Sequence, residues 1–391
     1  MNLKISAAVY QKEMLEVFRD RRTMISMVVV PLLAIPLLFS LINGFMSSRE
    51  KEAQGEALSV GVLGEDKLPT VIQSLKAAGF QPVLKADLRA AVEKKDVAAA
   101  VEETEDAATG EKHVNVYIDR TRQASEIAGD KIQTALDQLK MDTVRASLRG
   151  SGLPEKILTP FTTKSVNVAS EKKMSGLVFG SALGYVVILL MFTGAMYPAI
   201  DMTAGEKERR TLEAVLASPA GRSEIVLGKI AATATAAFIT ALLTLGSMAY
   251  SFRFSPQAAS ARETFHMAPP DMGSLALALV TVIPTAIVAA SLMVAIALFA
   301  KSYKEGMSYL TPIVMLAAFP AVVGMLPGLE LTPALALIPI FNVCQLIKEI
   351  FLGEFSRVAY AVAFGANLVY AAVGYFVAAR IFKSESVLFR V

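Results

Sequence analysis

Apolar residues at Leu3, Ala7, Tyr10, Met14 and Val17, with Phe18 beside them, recur in steps of four and three. That spacing gathers them on one face of a helix. Lys4, Lys12, Glu13, Glu16 and Asp20 fall mostly elsewhere, and Arg19, Arg21 and Arg22 close the segment. Residues 1–22 therefore read as an amphipathic helix in the membrane interface, with a solvated extension as the plainer alternative. An apolar run from Met24 to Phe45 follows. It exceeds the roughly 7–15 residues of a signal-peptide core, so it reads as an uncleaved first span over 23–46, kinked at Pro31 and Pro36.

From 47 to 172 the pattern becomes that of ordinary soluble sequence. Strands expected at Leu58–Leu63, Gln81–Leu84, Val97–Val101 and Val114–Ile118 alternate with helices at Pro69–Ala78, Leu88–Lys94 and Ser125–Leu148, which predicts a small α/β domain. Gly61 and Gly64 lack the spacing of a nucleotide-binding fingerprint. Five more apolar segments follow in 173–391: Met174–Ile200, Ile225–Tyr250, Leu275–Ala300, Met307–Met325 and Val358–Phe382. Each suits a bilayer core of about 30 Å. The expected fold is an α-helical integral membrane protein of six transmembrane helices. An N-terminal interfacial helix precedes them, and an extracytoplasmic α/β domain is inserted between the first two spans. Leu329–Cys344 is apolar but short and broken by Pro333 and Pro339. Residues 329–352 thus read as an external re-entrant or interfacial segment, a seventh span being the alternative.

Composition agrees with this reading. Hydrophobic residues make up 54% of the 391, mean hydropathy is +0.50, and the net charge of +3 gives no reason to expect nucleic acid. One cysteine, Cys344, and two distant histidines leave neither an internal disulfide nor a histidine-based metal site. Lys207, Arg209, Arg210, Arg222 and Lys229 crowd one inter-span stretch, Lys301 and Lys304 another, and Lys383 and Arg390 the tail. The alternate loops hold fewer: Arg253 and Arg262 in one, Lys348 and Arg357 in the other. The positive-inside rule then puts both termini in the cytoplasm and the α/β domain outside, as a multi-pass protein of the cell (inner) membrane.

The stretch Gly205–Glu213 is dense in alternating charge. Thr203 followed by Glu206 fits a capping box, in which the Thr hydroxyl takes an orphan N–H and the Glu reaches back. Leu212, Val215 and Leu216 form an apolar stripe, Pro219 ends it, and Gly221 turns the chain into the next span. These features predict a short amphipathic helix over about 203–218, with Glu206, Glu208, Arg209 and Glu213 free for ionic contacts. A hairpin whose charges only set topology is the bland reading.

The run Glu206-Lys207-Glu208-Arg209-Arg210-Thr211-Leu212-Glu213, with Leu216 to Pro219 and Arg222 to Lys229, resembles the signature of type 2 ABC-transporter permeases. The resemblance implies that this element is a coupling helix seated in a groove of a separate ATP-binding subunit. Glu206, Glu208, Arg209, Thr211, Leu212, Glu213 and Leu216 would make that contact, joined by Arg19, Arg21, Arg22, Lys301 and Lys304. It also implies that ATP and magnesium are held by the partner, that this chain carries no cofactor, and that a second permease completes a homodimer or heterodimer. The large insertion, with Tyr303 to Gly306 and Ile338 to Asn342, is similar to the NatB-like branch, named for sodium export. Relatives with the same signature handle drugs, peptides or lipids.

Other chemistry finds little support. Gly221 to Ile230 superficially looks like a P-loop, but six residues separate the glycines where four are needed, and Ile230 stands where magnesium needs a hydroxyl. There is no His-Glu-x-x-His, no Gly-x-Ser-x-Gly and no acidic pair within a span, so neither a protease nor an ion-coupled carrier is favoured. Thr193, Thr233, Thr235, Thr240, Thr244, Thr281, Thr285, Ser291, Thr311 and Asn367 lie in the spans. They read mainly as helix-packing contacts, with a substrate path as the rival. Asp201 reads as a boundary anchor or a cation relay. A membrane sensor whose outer domain binds a ligand is the remaining alternative class.

Overall fold

The computed structural model describes residues 2–37, 40, 59–64, 69–105, 112–151, 176, 180–254, 270–324 and 329–384. Part of the expected first span (38, 39 and 41–46), both expected ends of the inserted domain, and Arg262 and Arg390 lie outside them. The chain forms two compact units, residues 1–40 with 168–391, and residues 41–167.

In the first unit, the Leu3–Arg19 helix starts on Asn2, whose side chain accepts from Lys4 N–H. It stops at Asp20, whose extended backbone and carboxylate cap a new turn, Arg21–Met24, through the N–H groups of Arg22 and Thr23. The chain continues as a π-helical turn, Ile25–Val29, and as helix over 30–37. The expected apolar stripe divides. Met14 and Val17 are buried, whereas Leu3 and Phe18 are 69% and 52% exposed. Ser6 and Glu13 are buried instead. The helix is rolled because Glu13 has a charged partner inside the protein.

Five described helices are long and apolar enough to cross a membrane: Leu183–Glu208, Arg222–Phe254, Met272–Ala297, Tyr303–Val323 and Arg357–Lys383. Val187, Phe192, Ile225, Ala289 and Met293 are fully buried where they pack together. Met315, Leu316 and Phe319 on one of the last two helices, and Val369, Val373 and Phe376 on the other, stay exposed. Such apolar faces suit lipid or another apolar helix. The span hydroxyls mostly satisfy themselves: Thr193, Thr235, Thr240, Thr244, Thr281 and Thr311 each donate to the carbonyl four residues back.

Residues 335–337 form a 3-10 turn, and Phe341–Leu352 a 12-residue helix. At 1.5 Å per residue that helix is about 18 Å long, too short to cross a bilayer core. Glu349 accepts the Leu331 N–H at 2.7 Å and Asn342 donates to the Ala336 carbonyl at 2.9 Å, pinning the incoming loop to the helix. Gly184 lets the neighbouring span approach closely, since a Cβ there would sit 2.9 Å from the Cys344 carbonyl oxygen.

The second unit is an α/β fold. Its strands are β1 (Ser59–Val62), β2 (Gln81–Leu84), β3 (Ala99–Glu105) and β4 (Lys112–Ile118), in the order β2-β1-β3-β4. β1 runs parallel to β2 and β3, while β4 is antiparallel to β3. The helices Pro69–Ala77 and Leu88–Glu93 make the parallel crossovers. Strand alternation sends Val60, Val62, Ala99 and Val101 to a core with Ile72, Leu75 and Ile132, and Ala100 to a second with Leu88, Val92 and Val97.

Candidate functional site

Thr203 does not begin a helix. The Ser181–Ile200 helix runs on through a π-helical turn, Asp201–Gly205, into Glu206–Glu208. The buried Thr203 hydroxyl donates to the Ala199 carbonyl at 2.6 Å, so the capping-box reading is overturned. Local sequence matched the motif, but four upstream carbonyls were already in helical register to take that hydroxyl and the backbone N–H groups.

The expected single helix over 203–218 is two pieces. The first ends in a Schellman arrangement: Thr211 N–H reaches the Glu206 carbonyl at 3.0 Å, and Arg210 N–H the Lys207 carbonyl at 3.0 Å. Arg210 occupies the left-handed position, φ 59°, where glycine is usual. A short helix, Leu212–Leu216, follows. Arg209 is drawn back onto Asp201 at 2.8 Å, which makes Asp201 an anchor for the bend.

Burial sorts the expected docking residues. Leu212 is buried in the core of its own unit, with Val215 and Leu216 packed half-buried against that core. Glu206 is also buried, 1% exposed. Glu206 and Leu212 therefore face inward, while Leu216 keeps part of its surface exposed. Glu208, Arg209, Arg210, Thr211 and Glu213 are exposed. Arg19, Arg21, Arg22, Lys301 and Lys304 are exposed too. Contacts that join these segments include Glu208 accepting the Tyr303 N–H at 2.7 Å and the Arg22 guanidinium lying 5.7 Å from the centre of the Tyr303 ring.

Behind the exposed strip lies an ionic cluster with a buried centre. The Lys229 ammonium is 2.7 Å from Glu13 Oε1, 2.7 Å from Glu206 Oε2 and 2.7 Å from the Met202 carbonyl oxygen. All three of its donors are used. The half-exposed Lys12 lies 2.7 Å from Glu206 Oε1, 3.2 Å from Glu13 and 3.3 Å from Glu16. The oxygens of Glu13, Glu16 and Glu206 lie within 4.8 Å of one another, with Lys12 paired to all three and Lys229 to Glu13 and Glu206. Met14, Val17, Met27, Met202, Ala232 and Ala236 pack together from the same segments. Glu13 Oε2 is buried without a hydrogen-bond partner. Burial pushes the Glu13 carboxyl upward, against Lys229 and with Glu206 adding to it. Burial would lower Lys12, but Glu13, Glu206 and Glu16 carry it above the ordinary lysine range.

Gly228 admits this arrangement. A Cβ there would lie 2.6 Å from Val9 Cγ1 and 3.0 Å from the Ser6 carbonyl oxygen. The Gly228-Lys229 pair, which failed as a phosphate loop, is thus a helix crossing followed by a buried cation. Sequence reasoning counted Lys229 as a topology charge and as the end of the permease-like signature, and left Glu13 on the solvated side. The missed signal was a lysine about two turns into the Arg222–Phe254 helix, where a lone charge demands a partner.

A family model described as an ABC-2 family transporter protein matches residues 21–380. The chain is also 24% identical, over 350 residues, to the ABC transporter permease protein NatB of Bacillus subtilis (strain 168), covering 88% of this chain and 89% of that protein.

Proposed function

This chain belongs to the ABC-2 transporter family as a permease subunit, and we propose that it is an exporter driven by a separate ATP-binding subunit docked on the exposed face of residues 208–213. The observation that carries this reading is a charged strip mounted on a rigid base. Glu208, Arg209, Arg210, Thr211 and Glu213 face outward, while Glu206 and Leu212 anchor the same backbone from within. Arg19, Arg21, Arg22, Lys301 and Lys304 flank the strip and widen the contact. ATP and magnesium reside on the partner. Its closure pushes on the strip, and the continuous helix from Leu183 to Glu208 carries the push into the bundle. Both termini lie in the cytoplasm, residues 47–172 lie outside, and the permease pairs with a second copy or a related chain.

The cargo in this reading is the sodium ion. Its support is the similarity of Tyr303–Gly306 and Ile338–Asn342 to the NatB-like branch. The full chain is purified from its native membrane with the ATP-binding subunit that accompanies it. Charge reversal at Glu208 and Glu213 together should abolish both copurification and permease-stimulated ATP hydrolysis; if both survive, the docking reading is wrong. Inverted membrane vesicles containing the complex should take up radioactive sodium only with ATP. Uptake driven by an ion gradient without ATP would make the protein a secondary transporter, and failure with sodium alone would pass the cargo to drugs, peptides or lipids.

A further inference from the structure

Three segments remote in sequence meet at one ammonium group. Glu13 comes from the Leu3–Arg19 helix, Glu206 and the Met202 carbonyl from the turn before the exposed strip, and Lys229 from the Arg222–Phe254 helix. Lys229 and both glutamates have side chains at most 1% exposed. We propose that Lys229 is a positioning residue that locks the N-terminal helix to the strip at 208–213, so that a push on the strip moves both as one lever. This rests on the docking reading above and adds to it a second output: the N-terminal helix, and through its Asp20 cap the helix at 21–37.

Three features make the link stiff in direction and not merely sticky. An ammonium with three short hydrogen bonds has no spare donor with which to slide to a new register. Apolar contacts between the same helices would tolerate such sliding, because they are non-directional. Lys12 adds a second tie from the N-terminal helix to the other oxygen of Glu206. The contact also has no room to separate in steps, since Gly228 brings the two helices to backbone contact near Ser6 and Val9. Stability alone is a weak reason for such a cluster, because a buried ion set rarely outperforms apolar residues of the same volume.

The strip connects to the cluster by the shortest route available. Glu206 supplies both the carboxylate bound by Lys229 and the carbonyl that caps the helix at Thr211. Displacement of Glu208–Glu213 therefore acts on Glu206 through two residues of helix. It then passes through Lys229 to Glu13, and along the N-terminal helix to Phe18.

The test uses the full chain in its complex with the copurified ATP-binding subunit. A fluorophore is placed at Phe18→Cys, an exposed position; the native Cys344 is buried and shielded from label. Three quantities are read: complex formation, permease-stimulated ATP hydrolysis, and the fluorescence change on adding ATP. The neutral triple variant Glu13→Gln, Glu206→Gln, Lys229→Met should fold and bind the ATP-binding subunit, yet lose about tenfold in both the ATP-induced signal and the stimulated rate. Lys229→Arg, which keeps the charge, should retain both. A triple variant with the full signal and full stimulation overturns the proposal and leaves the cluster a purely structural feature. Should the triple variant not fold, Glu13→Gln decides alone: it must reduce the Phe18 signal more than it reduces thermal stability. An unmodified complex that is stimulated by ATP but shows no change at Phe18 also overturns it. If the unmodified chain binds no ATP-binding subunit at all, the docking reading fails instead.

Discussion

The Lys229 ammonium and the Glu206 carboxylate lie 2.7 Å apart with both side chains 1% exposed. At that burial neither charge has water to fall back on, so Lys229 depends on Glu206 and Glu13, and Glu206 on Lys229 and Lys12. Removing Glu206 leaves one buried donor of Lys229 unsatisfied while Glu13 and the Met202 carbonyl still hold the ammonium, at a cost of about 1–3 kcal/mol. Glu206→Leu should therefore lower the thermal midpoint of the detergent-solubilised protein sharply. The exposed Glu213→Leu should move it little, by about 0.5 kcal/mol or less. Equal effects at the two positions would contradict the burial that separates them.

Arg210 carries a left-handed backbone, φ 59°, at the end of a helix. An L side chain there costs about 1–2 kcal/mol that glycine avoids. Arg210→Gly should accordingly stabilise the protein by up to about 1 kcal/mol, read as a raised unfolding midpoint. A loss of stability would mean that the arginine side chain contributes more than its backbone strain removes.

Gly228 sits where a side chain would strike Val9. Gly228→Leu should force the N-terminal helix outward at a cost of about 1–3 kcal/mol. Trypsin should then cleave faster after Arg19, Arg21 and Arg22. Shortening the opposing residue with Val9→Ala should return part of the protection to a Gly228→Ala variant, whereas an unaffected cleavage rate in both would place the two helices further apart than described.

Asp20 links the N-terminal helix to the turn that follows, accepting from Thr23 Oγ1 at 2.6 Å and Thr23 N–H at 3.0 Å. Burial opposes its ionisation, but the hydrogen bonds from Thr23 and Arg22 hold the carboxyl below the ordinary Asp range. On acidification the unfolded chain takes up the proton first. The cap's contribution is therefore fully present above the ordinary carboxylate range and is lost as pH falls through the depressed value. Asp20→Ala should cost about 1 kcal/mol at neutral pH, and its difference from the parent should vanish in acid. Amide hydrogen exchange at Arg22 and Thr23, compared at neutral and acidic pH, measures both.

Legibility in the sequence followed the range of the forces involved. The alternation at Val60, Gly61 and Val62 and the α/β rhythm around it are local, and strands form where that rhythm places them, at Ser59–Val62 and Gln81–Leu84. Five of the six long apolar runs became membrane-length helices, the first lying partly outside the described residues, because burial of twenty or so apolar residues is a property of the run itself. The strip at 208–213 was legible as a charged element between two such helices, but the single amphipathic helix expected over 203–218 is two short pieces.

Orientation was not. Thr203 and Glu206 spell a helix start, yet the helix arriving from Ser181 passes straight through them. Leu3, Met14 and Phe18 share a stripe on paper, yet Glu13 takes the inner face because Lys229, 216 residues away, can neutralise it. Local pattern determined which segments are helix, strand or span, since propensity and hydrophobic period act within a few turns. Which face of each helix is inside, and which of the many charges on the Gly205–Glu213 element meet solvent, was decided only by tertiary structure. A charge is buried where a partner from a distant segment removes the cost of leaving water, and no window of sequence contains both partners.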